Sequence, residues 1–340
     1  MISFLKLATQ VVQAGRCTGC GACQGMCPYW VSHHGRTYEN YECNQKEGRC
    51  ERFCPRMPTD TETLRSRFFD EKDVIAELGP VKELLCVRAV HPAENAQHGG
   101  TVTALVSLAL QEGFLDSAVL TRSDGIDSEG VLAVTPEDVA ACAGSSFRIA
   151  PSLSVLNRAL REGTYSSIGV VGTPCKTLAA YKMRASEDGY GKNIGMVFGL
   201  FCGWGLDWDS YNRLIDAYGD AASVTHADIL PSSYHSLELM DREGVHGVDL
   251  DEVLPLVREN CGYCADMTAE FADLSVGGAR TGDGWETDKG WNQLIVRSEK
   301  GAELVKLALE RSVLEARELP ENALSKLKAA SLKKKERAAK

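Results

Sequence analysis

The sequence predicts an α/β (α+β) fold, with a mixed-sheet domain preceded by a small segment held by cysteines. Three observations carry this expectation. From about residue 86 to 300, short apolar stretches of strand type alternate with helical stretches, the pattern of a sheet covered by helices. The 340-residue chain has 13 cysteines, many in tight clusters, which in a chain of this length argues for metal rather than a disulfide scaffold. Residues from about 13 to 60 lack long apolar periodicity, so metal rather than a hydrophobic core would order them.

The elements follow in chain order. Residues 1–60 form the cysteine-rich unit and 61–85 a linker. Within the linker, the stretch from Asp70 to Leu78 predicts a short amphipathic helix ended by Gly79-Pro80. The main domain spans 86–310. Residues 86–90 read as a strand, and Gly99-Gly100 opens a helix over 101–111 that Gly113 stops. Residues 118–120 and 131–134 are further strands, and Thr135-Pro136-Glu137-Asp138 starts a helix with proline in the first position. Residues 168–171 run as a strand into Gly172-Thr173-Pro174-Cys175, and 196–202 as another strand ending in Cys202. Residues 311–340 form a helical basic tail. Its run Lys333-Lys334-Lys335-Glu336-Arg337 reads as a solvated helix end.

Composition excludes several function classes. Hydrophobic residues make up 44% and charged residues 25%, ordinary for a globular chain, and the net charge of −10 gives no electrostatic case for nucleic acid. No apolar run reaches the roughly 18 residues of a membrane span. The expected location is cytoplasmic, with membrane contact only through partners.

Cys17-Thr18-Gly19-Cys20-Gly21-Ala22-Cys23-Gln24-Gly25-Met26-Cys27-Pro28 is the bacterial ferredoxin run, C-x2-C-x2-C-x3-C-P. A half-motif follows, Cys43-x6-Cys50-x3-Cys54-Pro55. Ferredoxin logic closes one cluster with Cys17, Cys20, Cys23 and Cys54. It leaves Cys27, Cys43 and Cys50 one ligand short, so that site takes a ligand from elsewhere, holds three irons or is absent. His33 and His34 read as loop residues, and Cys86 and Cys142 as buried structural thiols. Cys261-Gly262-Tyr263-Cys264 is a second C-x2-C pair. Strand carboxyl ends converge on one sheet edge, so Cys175 and Cys202 can meet Cys261 and Cys264 there.

Three loops of small residues suit an extended dinucleotide cofactor. They are Gln97-His98-Gly99-Gly100-Thr101, Gly144-Ser145-Ser146 and the stretch from Gly277 through Arg280 and Asp283 to Trp285. In the first, a glycine pair before a helix lets a phosphate approach the free N–H groups of its amino terminus.

Taken together, these segments resemble the beta-subunit family of coenzyme F420 hydrogenases and dehydrogenases. The likeness runs over roughly residues 86 to 330. Its carriers are the Gly99-Gly100 helix start, Gly144-Ser145-Ser146, Gly172-Thr173-Pro174-Cys175, Gly199-Leu200-Phe201-Cys202, Cys261-x2-Cys264 and residues 269–277, 283–285 and 296–301. The resemblance implies FAD and one [4Fe-4S] cluster in the main domain, with Cys175, Cys202, Cys261 and Cys264 as ligands. With the amino-terminal unit, the total is two to three [4Fe-4S] clusters. It also implies Gly99, Gly100, Thr101, Gly144, Ser145, Ser146, Gly172, Thr173, Gly277, Arg280, Asp283 and Trp285 as cofactor-binding positions. Two departures stand out. His98 occupies a place that is acidic in many relatives, and the second ferredoxin half-motif is irregular.

The expected function is that of an iron–sulfur flavoprotein oxidoreductase subunit. It would pass electrons between a two-electron carrier (deazaflavin F420, NAD(P)H or, as a one-electron alternative, ferredoxin) and redox partner subunits. No side chain need be a nucleophile or base. The rival is a non-catalytic electron-transfer adaptor of a hydrogenase, formate dehydrogenase or other reductase complex.

Overall fold

The computed structural model describes residues 3–123, 127–145, 147–218, 223–224, 226–230, 234–281 and 284–340. An eight-stranded sheet runs through the main domain. Its spatial order is Leu314–Arg317, Glu83–Ala89, Asn292–Val296, Leu274–Gly278, Ile194–Leu200, Ile168–Gly172, Ser117–Ser123, Ser128–Ala133. The four strands from Leu274–Gly278 to Ser117–Ser123 are parallel, and every other pairing is antiparallel. Ile168–Gly172 is buried along its whole length, as a parallel strand covered on both faces must be.

Adjacent strand residues point to opposite faces, and each face has its own helices. Leu120, Val171 and Phe198 pack with Leu105, Leu108, Leu304 and Ala308 from helices Thr101–Gln111 and Glu299–Glu310. Their neighbours Val119, Val170 and Val197 pack with Leu156, Ala179 and Met183 from helices Leu153–Glu162 and Pro174–Arg184. The helix expected over 101–111 has those bounds, and Pro136–Ala140 starts with its proline behind a capping box of Thr135 and Asp138. The strands expected from the apolar runs all form, shifted by a few residues at their ends.

A smaller antiparallel sheet, His226–Ile229, Ser236–Met240 and Val245–Asp249, was not legible in the apolar pattern. Its core packs Leu237, Leu239 and Val248 against Tyr211 and Ile215 of helix Trp208–Tyr218. Among the described residues no helix is long and apolar enough to cross a membrane.

Three expectations are overturned. The stretch from Asp70 to Leu78 is not a helix. A 3-10 turn, Glu71–Asp73, leads into Val74–Ile75, which pairs antiparallel with Gly79–Pro80. Gly79 makes the reversal at φ +73, and Leu78 is fully buried with Ile295 and Leu327. Burial of Leu78 and two β-branched residues outweigh the helical spacing. Residues 61–85 are not a free linker either: Thr61–Ser66 is helical, and Leu64 and Phe69 join the second-face core. Finally, the basic run is not merely solvated. Within helix Ala323–Ala338, Ser331 and Lys334 are buried, and the Ser331 hydroxyl donates to the Glu77 carbonyl at 2.6 Å.

The amino-terminal unit comprises helices Ser3–Leu7 and Arg49–Phe53 and the hairpin Trp30–His33 with Arg36–Glu39. Phe4, Leu7, Val11, Trp30 and Met57 form its apolar centre, with six cysteines packed against or within it besides Cys20. Cys20, Ala22 and Phe53 belong instead to the core on the second face of the main sheet.

Leu78→Ala is expected to lower the stability of the folded chain by about 3 kcal/mol, because a fully buried leucine is truncated into a cavity. Chemical denaturation of the purified variant checks this. The solvent-exposed position that a surface helix would give predicts a change of under about 0.5 kcal/mol.

Candidate functional site

The carboxyl ends of the parallel strands lie on one edge, and the sequence-predicted residues gather along it. Thr173 stands at the start of helix Pro174–Arg184, so Cys175 lies in the first helical turn rather than at a strand end. Cys202 follows strand Ile194–Leu200, its amide donating to the Met267 carbonyl at 2.8 Å. Cys261 lies within a 3-10 turn, Glu259–Tyr263, which Cys264 closes, and the Gly205 amide donates to the Cys261 sulfur at 3.3 Å.

All 13 cysteines are free thiols. Eleven of them fall into three neighbourhoods, read from which thiols repel one another's charge. Cys202 is influenced by Cys175, Cys261 and Cys264, and Cys261 by Cys175 and Cys264. Cys23 is influenced most by Cys20, Cys17 and Cys54, which line one cavity with it beside Leu7, Val11 and Thr18, and least by Cys50. Cys50 is influenced by Cys27 and Cys43.

Burial is the main cause of the thiols' raised pKa values. It pushes Cys20 and Cys202 up to about 12 and Cys54 up to about 11, with neighbouring thiols adding to the rise and Lys334 opposing it at Cys202. Clustered, desolvated thiols become thiolates only when a cationic centre takes the place of their protons. Among the described residues, no three cysteine sulfurs lie mutually within 4.8 Å. A tetrahedral zinc, with Zn–S near 2.3 Å, requires sulfurs roughly 3.8 Å apart.

The first and second neighbourhoods adjoin. Cys175 is the largest like-charge influence on Cys20. Lys176, buried, lies near Cys175, Cys20 and Cys202, and its ammonium is 3.3 Å from the Thr121 hydroxyl. Burial lowers its pKa while the thiols oppose that shift. Other cations hold backbone carbonyls of the cysteines themselves. Lys182 donates to Cys54 O at 2.6 Å and to the Thr59 hydroxyl at 2.8 Å, its pKa lowered by burial to about 8. Lys334 donates to Cys202 O at 2.6 Å, and Arg258 to Cys17 O at 3.0 Å.

The ferredoxin run is gripped by the main domain. Asn157, fully buried in helix Leu153–Glu162, donates from Nδ2 toward three carbonyls of the run: Gln24 at 2.6 Å, Ala22 at 3.1 Å and Gly21 at 3.4 Å. The Leu153 amide donates to Cys20 O at 3.1 Å. Gly21, at φ +85, lies so close to Pro151 that a Cβ would stand 2.4 Å from its carbonyl oxygen. Sequence reasoning found the thiols but missed Asn157, Lys176, Lys182, Arg258 and Lys334, since single polar residues carry no spacing signal.

The proposed cofactor loops are brought together only in part. Thr101 donates from its hydroxyl to Asn292 Oδ1 at 2.8 Å, and Asn292 Nδ2 donates to Gly277 O at 3.2 Å. This joins the Gly99–Thr101 turn to the Gly277 strand end. Gly99 gives room to Asn292 and Arg88, Gly277 to the Phe201 ring, and Gly278 to His98. Gly100 is left-handed (φ +65) and offers no side-chain cap to the helix it starts, while the Thr101 amide donates to Asn292 Oδ1 at 3.4 Å. His98 pairs at 3.7 Å with Asp228, which also accepts from Gln97, and burial lowers the pKa of Arg280, which donates to Ile229 O. Gly172 and Thr173 stand beside Cys175, with the Thr173 hydroxyl 3.4 Å from its sulfur. Gly144 and Ser145 lie farther along the chain, in the loop toward Phe147, whose carbonyl accepts from the Leu206 amide. Ser146 and Asp283 lie outside the described residues, as does the side chain of Trp285.

The remaining candidates are structural. Cys86 is buried and accepts from Arg317 Nε at 3.1 Å, while Cys142 is half-buried. His33, His34 and Trp208 form a stack, with ring centroids 3.7 and 3.6 Å apart, and His34 pairs with Asp209 at 3.3 Å.

Asn157→Ala removes the donor shared by three carbonyls. Hydrogen exchange at the amides of residues 20–25 is expected to speed up at least about tenfold, as read by mass spectrometry, while exchange in the central strands stays unchanged.

Two family descriptions match the chain, both for the beta subunit of coenzyme F420 hydrogenase/dehydrogenase. Residues 85–157 match its amino-terminal part and residues 165–322 its carboxy-terminal part. Coenzyme F420 hydrogenase subunit beta of Methanococcus voltae is 29% identical over 278 residues, covering 79% of this chain and 93% of that protein. An F420H2 dehydrogenase subunit of Methanosarcina mazei is 27% identical over 306 residues, covering 86% and 82%. Among solved structures, a chain of the F420-reducing NiFe hydrogenase complex from Methanosarcina barkeri superposes with a TM-score of 0.70 at 24% identity, covering 78% of this chain and 92% of that one. That likeness is one of fold.

Proposed function

Since the chain belongs to the coenzyme F420 hydrogenase/dehydrogenase beta-subunit family, we propose that it is an iron–sulfur flavoprotein subunit of a multi-subunit oxidoreductase. It moves electrons between a hydride carrier, F420 or a comparable one such as NAD(P)H, and one-electron partners such as ferredoxin-like redox subunits. Its setting is the cytoplasm, and nucleic acid plays no part. The observation that carries this reading is the adjacency of Cys20 and Cys175, which belong to two different thiol sets.

Bound FAD would exchange electron pairs for single electrons, and iron–sulfur clusters held by the thiol sets would carry the single electrons onward. The chain's own residues make that passage possible. Cys175, Cys202, Cys261 and Cys264 supply one complete ligand set, and Cys17, Cys20, Cys23 and Cys54 another. Lys176 brings a buried amino group close to Cys175, Cys20 and Cys202, where positive charge on it would favour negative charge arriving on either side. Lys182, Lys334 and Arg258 hold the carbonyls of Cys54, Cys202 and Cys17 and so fix the positions of their sulfurs. Phe4, Leu7, Trp30 and Met57 exclude water from the amino-terminal thiols. The start of helix Thr101–Gln111, where Gly100 offers no side-chain cap, would take the phosphates of FAD.

Iron, acid-labile sulfide and flavin per chain in anaerobically purified protein test this. The expected result is one FAD and at least about eight iron, with the flavin bleached by reduced F420. Lack of flavin and iron overturns the reading. Full loading without bleaching by reduced F420, NADH or NADPH replaces it with a non-catalytic adaptor of a reductase complex.

A further inference from the structure

Resting on the iron–sulfur reading above, we propose that Cys27, Cys43 and Cys50 hold a cuboidal three-iron cluster, [3Fe-4S], rather than a complete cube. In a cube each iron takes one terminal ligand from the protein, so four thiolates complete it and three leave one corner bare. Cys27, Cys43 and Cys50 all pack, partly buried, against the apolar cluster that contains Trp30. No fourth cysteine is left for them. Four others form the set around the shared cavity and four the set at the sheet edge. Cys86 lies in the central sheet against Arg317, and Cys142 follows helix Pro136–Ala140.

Oxygen ligands nearby are already engaged. The Ser3 hydroxyl accepts from the Gly48 amide at 2.9 Å and donates to Glu51, whose other oxygen pairs with Lys6 at 2.9 Å. Three residues before Cys50, where the C-x2-C spacing places a thiol, stands the exposed Glu47. The displaced Cys43, one residue outside the regular register, supplies the third thiol instead.

A second observation points to a sulfur-rich occupant. Trp30 is 2% exposed, and its indole N–H has no hydrogen-bond partner. Its side chain belongs to the apolar cluster against which Cys27, Cys43 and Cys50 pack. A cluster's thiolate and sulfide sulfurs are acceptors suited to that donor.

The test is low-temperature EPR and native mass spectrometry on the full chain, purified anaerobically and then mildly oxidised. The oxidised three-iron cluster has an odd electron count, whereas oxidised four-iron clusters are silent. We expect a near-isotropic signal of about one spin per chain and about 11 iron, not about 12. Glu47→Cys restores the regular spacing, and should abolish that signal and add one iron to the native mass. Cys43→Ser should abolish the signal while retaining the iron of the other two sets. Should Glu47→Cys fail to fold, the wild-type signal and Cys43→Ser still decide the matter.

A wild-type chain without the signal but with three full four-iron clusters overturns this inference and leaves the proposed function standing. A signal that survives Cys43→Ser belongs to another site and also overturns it. A chain with no iron or sulfide removes both readings at once.

Discussion

A segment poor in apolar side chains cannot order itself, and seven of the 13 cysteines in this chain lie in such a segment. The interaction on which their arrangement depends is the hold of one buried amide, Asn157, on three carbonyls of the ferredoxin run. Glycine makes that hold possible, because the run's backbone passes so close to Pro151 and Ser154 that no side chain fits at Gly21 or Gly25. The amino-terminal unit is therefore not a bead on a string. It is a second layer laid over the helices of the main sheet, which is why Cys20 and Phe53 share a core with Leu156 and Met183.

The same closeness sets the electrostatics. Burying thiols is inexpensive, but burying thiolates is not, and the chain answers with cations of unusual depth. Lys176 and Lys334 are both 6% exposed. They stand at opposite sides of the Cys202 region, one near the sulfurs and one on the backbone carbonyl. A further deep cation, Arg297, organises the approach to this region. It donates to the carbonyls of Leu78, Pro80 and Thr268 and to the Ser275 hydroxyl, tying the turn before the sheet to the loop after Cys264. Burial lowers its pKa to about 10, countered by Asp266 and Glu270, so it stays charged near neutrality.

What the sequence revealed was whatever repeats or clusters. Thiol spacing announced the ligand sets, and apolar runs such as Val170-Val171 announced the buried strands. The helix over 101–111 could be read from Gly100 and Gly113. What it hid depends on distant partners. Leu78 belongs to a helical spacing until Ile295 and Leu327 claim it, and Lys334 looks like one more surface lysine until it meets Cys202 O. The strands around Leu237 and Val248 are short, and their apolar residues face a core that only Tyr211 and Ile215 complete. Gly277, expected among the cofactor loops, also leaves room for the Phe201 ring, a contact no spacing announces.

The grip of Asn157 has a consequence for biogenesis. On the ribosome, Gln24 emerges 133 positions ahead of the residue that fastens it. For that interval the early cysteines are unfastened, exposed to oxidants and to stray metal ions. Vectorial synthesis therefore postpones the final ordering of this segment until the sheet behind it has closed.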